Sequence, residues 1–168
     1  MTEQYWDGEN FLIKVKKENL IVYYLNNKKH RKDGPAEIWY NNDGNVKLKA
    51  YWNNNQLHRE NGPAFIKYFK DGGIALERYY YYNKKHRDNK PATIEYFVNN
   101  SFRSVIYYNN NKKHCNDGPA IINYYNNNSI RRKKYYFNDI EFNPEDLPFE
   151  LPIDSPEKEF MFKLIYVV

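Results

Sequence analysis

Apolar and polar positions alternate with a period of two inside blocks that themselves recur. Ala36, Ile38 and Tyr40 return as Ala64, Ile66 and Tyr68, then Ala92, Ile94 and Tyr96, then Ala120, Ile122 and Tyr124. Each block lies 28 residues after the last. Spacing of i, i+2, i+4 puts three side chains on one face of a strand. The positions between them vary: Glu37 and Trp39, Phe65 and Lys67, Thr93 and Glu95, Ile121 and Asn123. A second strand follows each block, at Val46 to Trp52, Ile74 to Tyr80, Phe102 to Tyr108 and Ile130 to Tyr136, and ends in an aromatic pair. Asp43-Gly44, Asp71-Gly72, Asn99-Asn100 and Asn127-Asn128 stand between the two strands. These residue types predict hairpin turns of the primed types, which need positive φ.

The chain then returns through Asn27, Asn55, Asn83 and Asn111, a second predicted turn, and a short third strand near Leu57-His58. Next comes the best-kept motif: His30-Arg31-Lys32-Asp33-Gly34-Pro35-Ala36, repeated from His58, His86 and His114. Pro35, Pro63, Pro91 and Pro119 fit the mouth of a strand, where no backbone N–H is required. A fixed period of this length predicts a repeat array, because one unit cannot bury its apolar face alone.

The expected fold class is therefore all-β. It is an elongated antiparallel β-hairpin array spanning 1–142, with a degenerate N-terminal unit and further units near 36–63, 64–91, 92–119 and 120–142. Residues 1–10 read as a polar lead-in and Phe11 to Tyr24 as a hairpin. The repeat pattern reads as ending after Asn138. Residues 143–168 are acidic and proline-broken, and read as a C-terminal cap. In it Ser155-Pro156-Glu157 opens a helical turn. Phe160 to Val168 then covers the last sheet edge as a strand, or packs on it as a helix.

Charge adds a direction to this picture. Residues 1–138 carry 24 basic and 13 acidic side chains, a net of +11, and the remainder carries −6. A basic body attracts phosphate or an acidic partner. Lys47, Lys49, Arg103, Arg131, Arg132, Lys133 and Lys134 lie on second strands beside Tyr and Trp, an arrangement that tracks phosphate and stacks bases in nucleic-acid binders. An anionic membrane surface is a further expected partner class. No run of apolar residues is long enough for a spanning helix. No secretory signal is read at the start. The single cysteine, Cys115, replaces the motif arginine and fits a reducing compartment.

The four histidines, His30, His58, His86 and His114, are all the histidines present. Their spacing along an array, roughly 10 Å per unit, is too wide for shared metal ligation. They are expected to pin the adjacent Asp/Asn-Gly-Pro turn. No phosphate loop, ligand-spaced cysteine pair or catalytic set stands out, so no enzyme activity, metal or cofactor is expected.

The motif His58-Arg59-Glu60-Asn61-Gly62-Pro63-Ala64 followed by Ile66 and Tyr68, with its counterparts, resembles MORN-type repeats. The closer likeness is to the divergent MORN-like repeats of giant viruses of amoebae and of some bacteria and phages. It covers roughly residues 20–140. MORN units are usually shorter and richer in Gly and Trp, and Lys90 replaces the loop glycine in one copy. The resemblance implies an interaction or scaffold module without catalysis, of viral origin, in host cytoplasm or virion. The expected protein-binding face is the variable one: Trp39, Phe65, Lys67, Phe69, Glu95, Phe97, Ile121 and Tyr125. The partner's identity and the oligomeric state are not readable from these residues.

Overall fold

The computed structural model describes residues 1–146. They form one open antiparallel sheet of 13 strands, with almost every strand hydrogen-bonded to the ones before and after it. Thr2–Trp6, Phe11–Lys17 and Leu20–Leu25 lead. The paired strands of the units follow: Glu37–Tyr40 with Val46–Ala50, Phe65–Tyr68 with Ile74–Arg78, Thr93–Tyr96 with Phe102–Ile106, and Ile121–Tyr124 with Ile130–Phe137. Ile140–Phe142 ends the path, and Lys28–Lys29 hangs from Leu20–Leu25. The sheet does not close on itself, and the only helix among the described residues is the 3-10 turn Pro144–Asp146. The all-β hairpin array is thus observed. The cap expected from Ser155-Pro156-Glu157 and Phe160 to Val168 lies outside the described residues.

Residues 1–10 are not a lead-in. Thr2–Trp6 is an edge strand in register with Val15 to Phe11. Its polar composition (Thr, Glu, Gln) hid it, because an edge strand needs no apolar run of its own.

Two turn types alternate along the array, and the primed type does not stand at the hairpins where the sequence predicts it. At the hairpin between paired strands, Gly44, Gly72, Asn100 and Asn128 have positive φ, but Asp43, Asp71, Asn99 and Asn127 do not. In the first copy Gly44 N–H donates to Asn41 O (3.0 Å) and Asn41 N–H to Asn45 O (2.9 Å). This is a type I turn closed by one left-handed residue, and it leaves a bulge at the same place in all four hairpins. The primed turns occur in the return segment. Asn54 and Asn55 have φ of 50° and 65°, and Asn110 and Asn111 49° and 71°. Positive φ at both central residues is the type I′ condition, and Asn meets it with little penalty.

These type I′ turns make small side hairpins: Trp52–Asn53 with Gln56–Leu57, Tyr80–Tyr81 with Lys84–Lys85, and Tyr108–Asn109 with Lys112–Lys113. The predicted long second strand therefore breaks at Tyr51, Tyr79 and Tyr107. There the tyrosine N–H turns to the next unit's Ala64, Ala92 or Ala120 carbonyl (2.7–2.8 Å), and its carbonyl accepts from His58, His86 or His114. The pattern also continues past Asn138, since Phe137 pairs with Ile140 around an Asn138-Asp139 turn of the same positive-φ form.

Each side hairpin is clamped by the next. Asn55 Oδ1 accepts from Lys29 N–H, Asn83 from Leu57, Asn111 from Lys85 (all 2.7 Å) and Asp139 from Lys113 (2.8 Å). The backbone N–H of the same Asn or Asp donates to the carbonyl of that same residue (2.9–3.0 Å). One residue of each unit thus satisfies both backbone groups of a strand that would otherwise be an open edge.

Among the described residues the core is thin: Ala36, Ala64, Ala92 and Ala120 are fully buried, and Leu12 is the one large side chain with no exposure. Alanine is dictated where the tyrosine of the neighbouring strand and the motif arginine close over the strand mouth. Arg31, Arg59 and Arg87 stack on Tyr23, Tyr51 and Tyr79 at 4.2, 3.9 and 3.8 Å from the ring centre.

Candidate functional site

The sheet has two faces of different character. Cross-strand registers place Ile21, Ile38, Lys49, Ile66, Glu77, Ile94, Val105, Ile122 and Lys133 in one row on the first face. The recurrent tyrosines share it: Tyr96 Oη donates to Glu77 (2.8 Å), and Lys49 lies over Tyr68. Burial first, and then Glu77, push the Tyr96 phenol well up, so it remains a hydrogen-bond donor.

The second face carries two adjoining rows. One runs Leu20, Trp39, Leu48, Lys67, Leu76, Glu95, Ser104, Asn123, Arg132. The other runs Val22, Glu37, Ala50, Phe65, Arg78, Thr93, Ile106, Ile121, Lys134. The structure therefore brings Trp39, Phe65, Lys67, Glu95 and Ile121 onto one surface. Phe69, Phe97 and Tyr125 lie just past the strand ends, where their N–H groups close the turn to Gly73, Ser101 and Ser129 carbonyls, and Phe69 lines one cleft with Trp39. Trp39 is 40% exposed and held by its indole N–H on Glu37 (2.8 Å), whose other oxygen takes Lys29 (2.7 Å).

An apolar patch continues this face toward the N-terminal edge. Phe11 and Ile13 alternate with Leu12 and lie on the same side as Val15, which pairs with Val22. Trp6, Phe11 and Ile13 are 51%, 68% and 43% exposed, and Trp6 and Phe11 rings meet at 4.9 Å. Exposed apolar residues gathered in one patch mark an interaction surface more than scattered ones do. The period-two run Phe11, Ile13, Val15 was the available signal; without a known second face it reads equally well as core.

The basic set divides. Lys47, Arg103 and Arg131 are the extra residues of three bulges and are exposed. Arg132 and Lys134 point to the second face, while Lys49 and Lys133 point to the first, because strand neighbours alternate. Lys134 is engaged by Glu141 (2.8 Å). The contiguous run Arg131 to Lys134 is thus not one patch.

The histidines do two jobs rather than one. His86 and His114 reach Asp88 and Asn116 of their own loops, each one residue before the turn Asn89 or Asp117. His58 instead stacks on Tyr82 (centroids 4.0 Å, planes 9° apart). His30 makes no ring contact of this kind; its backbone N–H donates to Tyr23. Pro35, Pro63 and Pro91 accept a guanidinium N–H from the motif arginine at 3.3–3.5 Å. Among the described residues no group of three or more His, Cys, Asp or Glu side chains converges as a metal site. Among them, too, no helix is long and apolar enough to cross a membrane.

No family model, no curated protein and no solved structure matches this chain.

Proposed function

We propose that this chain is a MORN-like repeat module, without catalytic chemistry, that binds a protein partner across the second sheet face. The observation carrying this reading is the alignment of Trp39, Lys67 and Glu95 in one cross-strand row, in which Trp39 and Lys67 are exposed and Glu95 is half-buried between Leu76 and Ser104. On the first strand of each unit these positions differ from unit to unit, while the opposite face of the same strands repeats Ile and Tyr; the second strands vary on both faces. Contacts that hold the units together need sameness, and a partner needs difference. Trp and Tyr anchors flanked by charge are the usual centres of protein interfaces. The Trp6, Phe11 and Ile13 patch extends the same face.

The test is site-specific photo-crosslinking. A crosslinker at position 67 captures the partner, and one at position 49, on the opposite face, does not. Equal capture from both positions overturns the reading.

A second reading rests on the turn end. Lys47, Arg103 and Arg131 recur at the bulge, and Arg131 lies 5.9 Å from the Tyr125 ring centre. Cations beside aromatics at a regular spacing suit single-stranded nucleic acid. Fluorescence anisotropy with labelled single strands separates the two. Binding that falls steeply with salt and is lost in Arg103→Ser/Arg131→Ser favours the second reading; no binding at low salt leaves the first.

A further inference from the structure

We infer that the fourth loop is a receptor for a guanidinium group, presented by an arginine side chain of a partner protein. The inference concerns the loop end of the array and is independent of what the sheet face binds.

The chain itself shows what fits there. In the first three copies the motif arginine lies over the tyrosine ring and donates Nη1 to the proline carbonyl. In the first copy Asp33 accepts Arg31 Nε at 2.6 Å and Nη2 at 3.3 Å, and Tyr5 Oη accepts Nη2 at 2.7 Å. The fourth copy repeats three of these partners: Tyr107, Asp117 and Pro119 stand where Tyr23, Asp33 and Pro35 stand. The arginine is replaced by Cys115, and Asn89 stands 84 residues after Tyr5.

The space it leaves is present in the structure. A Cβ built on Gly34 meets the Arg31 guanidinium at 3.0 Å, and one on Gly62 meets Arg59 at 3.1 Å, whereas one on Gly118 meets nothing within 4 Å. The clefts between the earlier loops are lined by Tyr51 and Arg59, or by Tyr79 and Arg87. The fourth cleft runs from Arg87 and Asp88 past Cys115 to Pro119 and Ile122. Asp117 is exposed and forms no ion pair among the described residues. Cys115 is half-buried and its thiol is pushed up by burial, so it stays neutral and adds no charge of its own.

Ring face, carbonyl and carboxylate together match a planar fork of donors, which an ammonium does not satisfy in the same way. Residues 147–168 contain no arginine.

The test uses the full chain, titrated with N-acetyl-arginine amide and, separately, N-acetyl-lysine amide, followed by NMR. Saturable shifts at Tyr107 and Gly118, absent at Gly34 and Gly62, are expected with the arginine derivative. The lysine derivative should bind at least several-fold more weakly. Cys115→Arg fills the site from within and should weaken binding by an order of magnitude or more, on the scale of one lost charge-assisted fork. Cys115→Ala keeps the cleft open and should bind as the wild type does, which separates a filled site from a damaged fold. Arg31→Cys should open a second site at Tyr23. An arginine-containing peptide binding more tightly than the single amino acid assigns the source to a protein. Absence of saturable shifts, equal binding of the lysine derivative, or unchanged binding by Cys115→Arg each overturns the inference.

Discussion

The two ends of the strands differ in how much they repeat. At the loop end, every unit makes the same contacts: tyrosine to alanine carbonyl, histidine to tyrosine carbonyl, and the turn Asn or Asp to the preceding side hairpin. At the turn end, each pair of units has its own solution. Lys70 pairs with Asp43 (3.3 Å), Asn99 and Ser101 donate to the Asn126 carbonyl (3.1 Å), and Asn19 reaches Asn42 (3.4 Å). Cohesion is concentrated at one end, and the other end is free to diverge. In a one-dimensional array, stability is a sum of unit and neighbour terms, so the repeated neighbour contacts set most of it.

That contrast is breakable, and the loop end should break first. Ala64→Leu forces a larger side chain into a site with no exposed surface, beside Tyr51 and Arg59. Denaturant unfolding should show a loss of about 3 kcal/mol, the upper range for overpacking. Asn83→Ala removes the bond to Leu57 N–H and places a Cβ-only residue at φ 65°. A loss of about 2 kcal/mol is expected, with hydrogen exchange quickened at Leu57 before other strands.

A smaller effect is expected from pH at the N-terminal edge. Asp7 is buried, which alone pushes its carboxyl up. The N–H groups of Asn10, Lys32 and Glu9 outweigh this and hold it below the usual carboxylate range. Arg31 holds Asp33 low in the same loop. A lowered native pKa means the stabilisation is fully present above the unfolded value, near 3.9, and is lost as pH falls through the native value. Asp7→Asn should therefore destabilise the chain at pH 7 and reduce the steepness of acid unfolding below pH 4. An unchanged acid limb would remove Asp7 from the account. Smallest of all, Trp39→Ala with Lys67→Glu on the second face should cost about 1 kcal/mol, chiefly the Trp39 bond to Glu37, while abolishing partner crosslinking.

Much of this fold was legible because the repeat exposes its own rules. Ala36, Ile38 and Tyr40 recur because their strand face is common to all units. The turns were misassigned for a physical reason: Asp-Gly and Asn-Asn satisfy both a type I turn with a left-handed closing residue and a type I′ turn. Only the strand register distinguishes them. The Asn83 clamp was not legible at all, since an asparagine in a turn looks complete by itself and its partner lies 26 residues away. The surface was legible only in part. Alternation groups Trp39, Lys67 and Glu95 on one face, but Phe69, Phe97 and Tyr125 lie past the ends of their strands, where their N–H groups close the turns. The same alternation divides Arg131 to Lys134 between two faces. Thr2–Trp6 was missed because an edge strand can be polar throughout.

The backward-reaching asparagine makes copy number an adjustable quantity. Each unit supplies what its predecessor lacks and asks the same of its successor. Removing residues 64–91 joins Pro63 to Ala92 and leaves Tyr51 facing an alanine carbonyl, and Leu57 facing Asn111, as before. A lineage carrying this gene can therefore lengthen or shorten the product by whole steps of 28 residues. The molecule is in that sense a ruler whose graduations are interchangeable, and the spacing between a partner's contacts can be tuned by counting units.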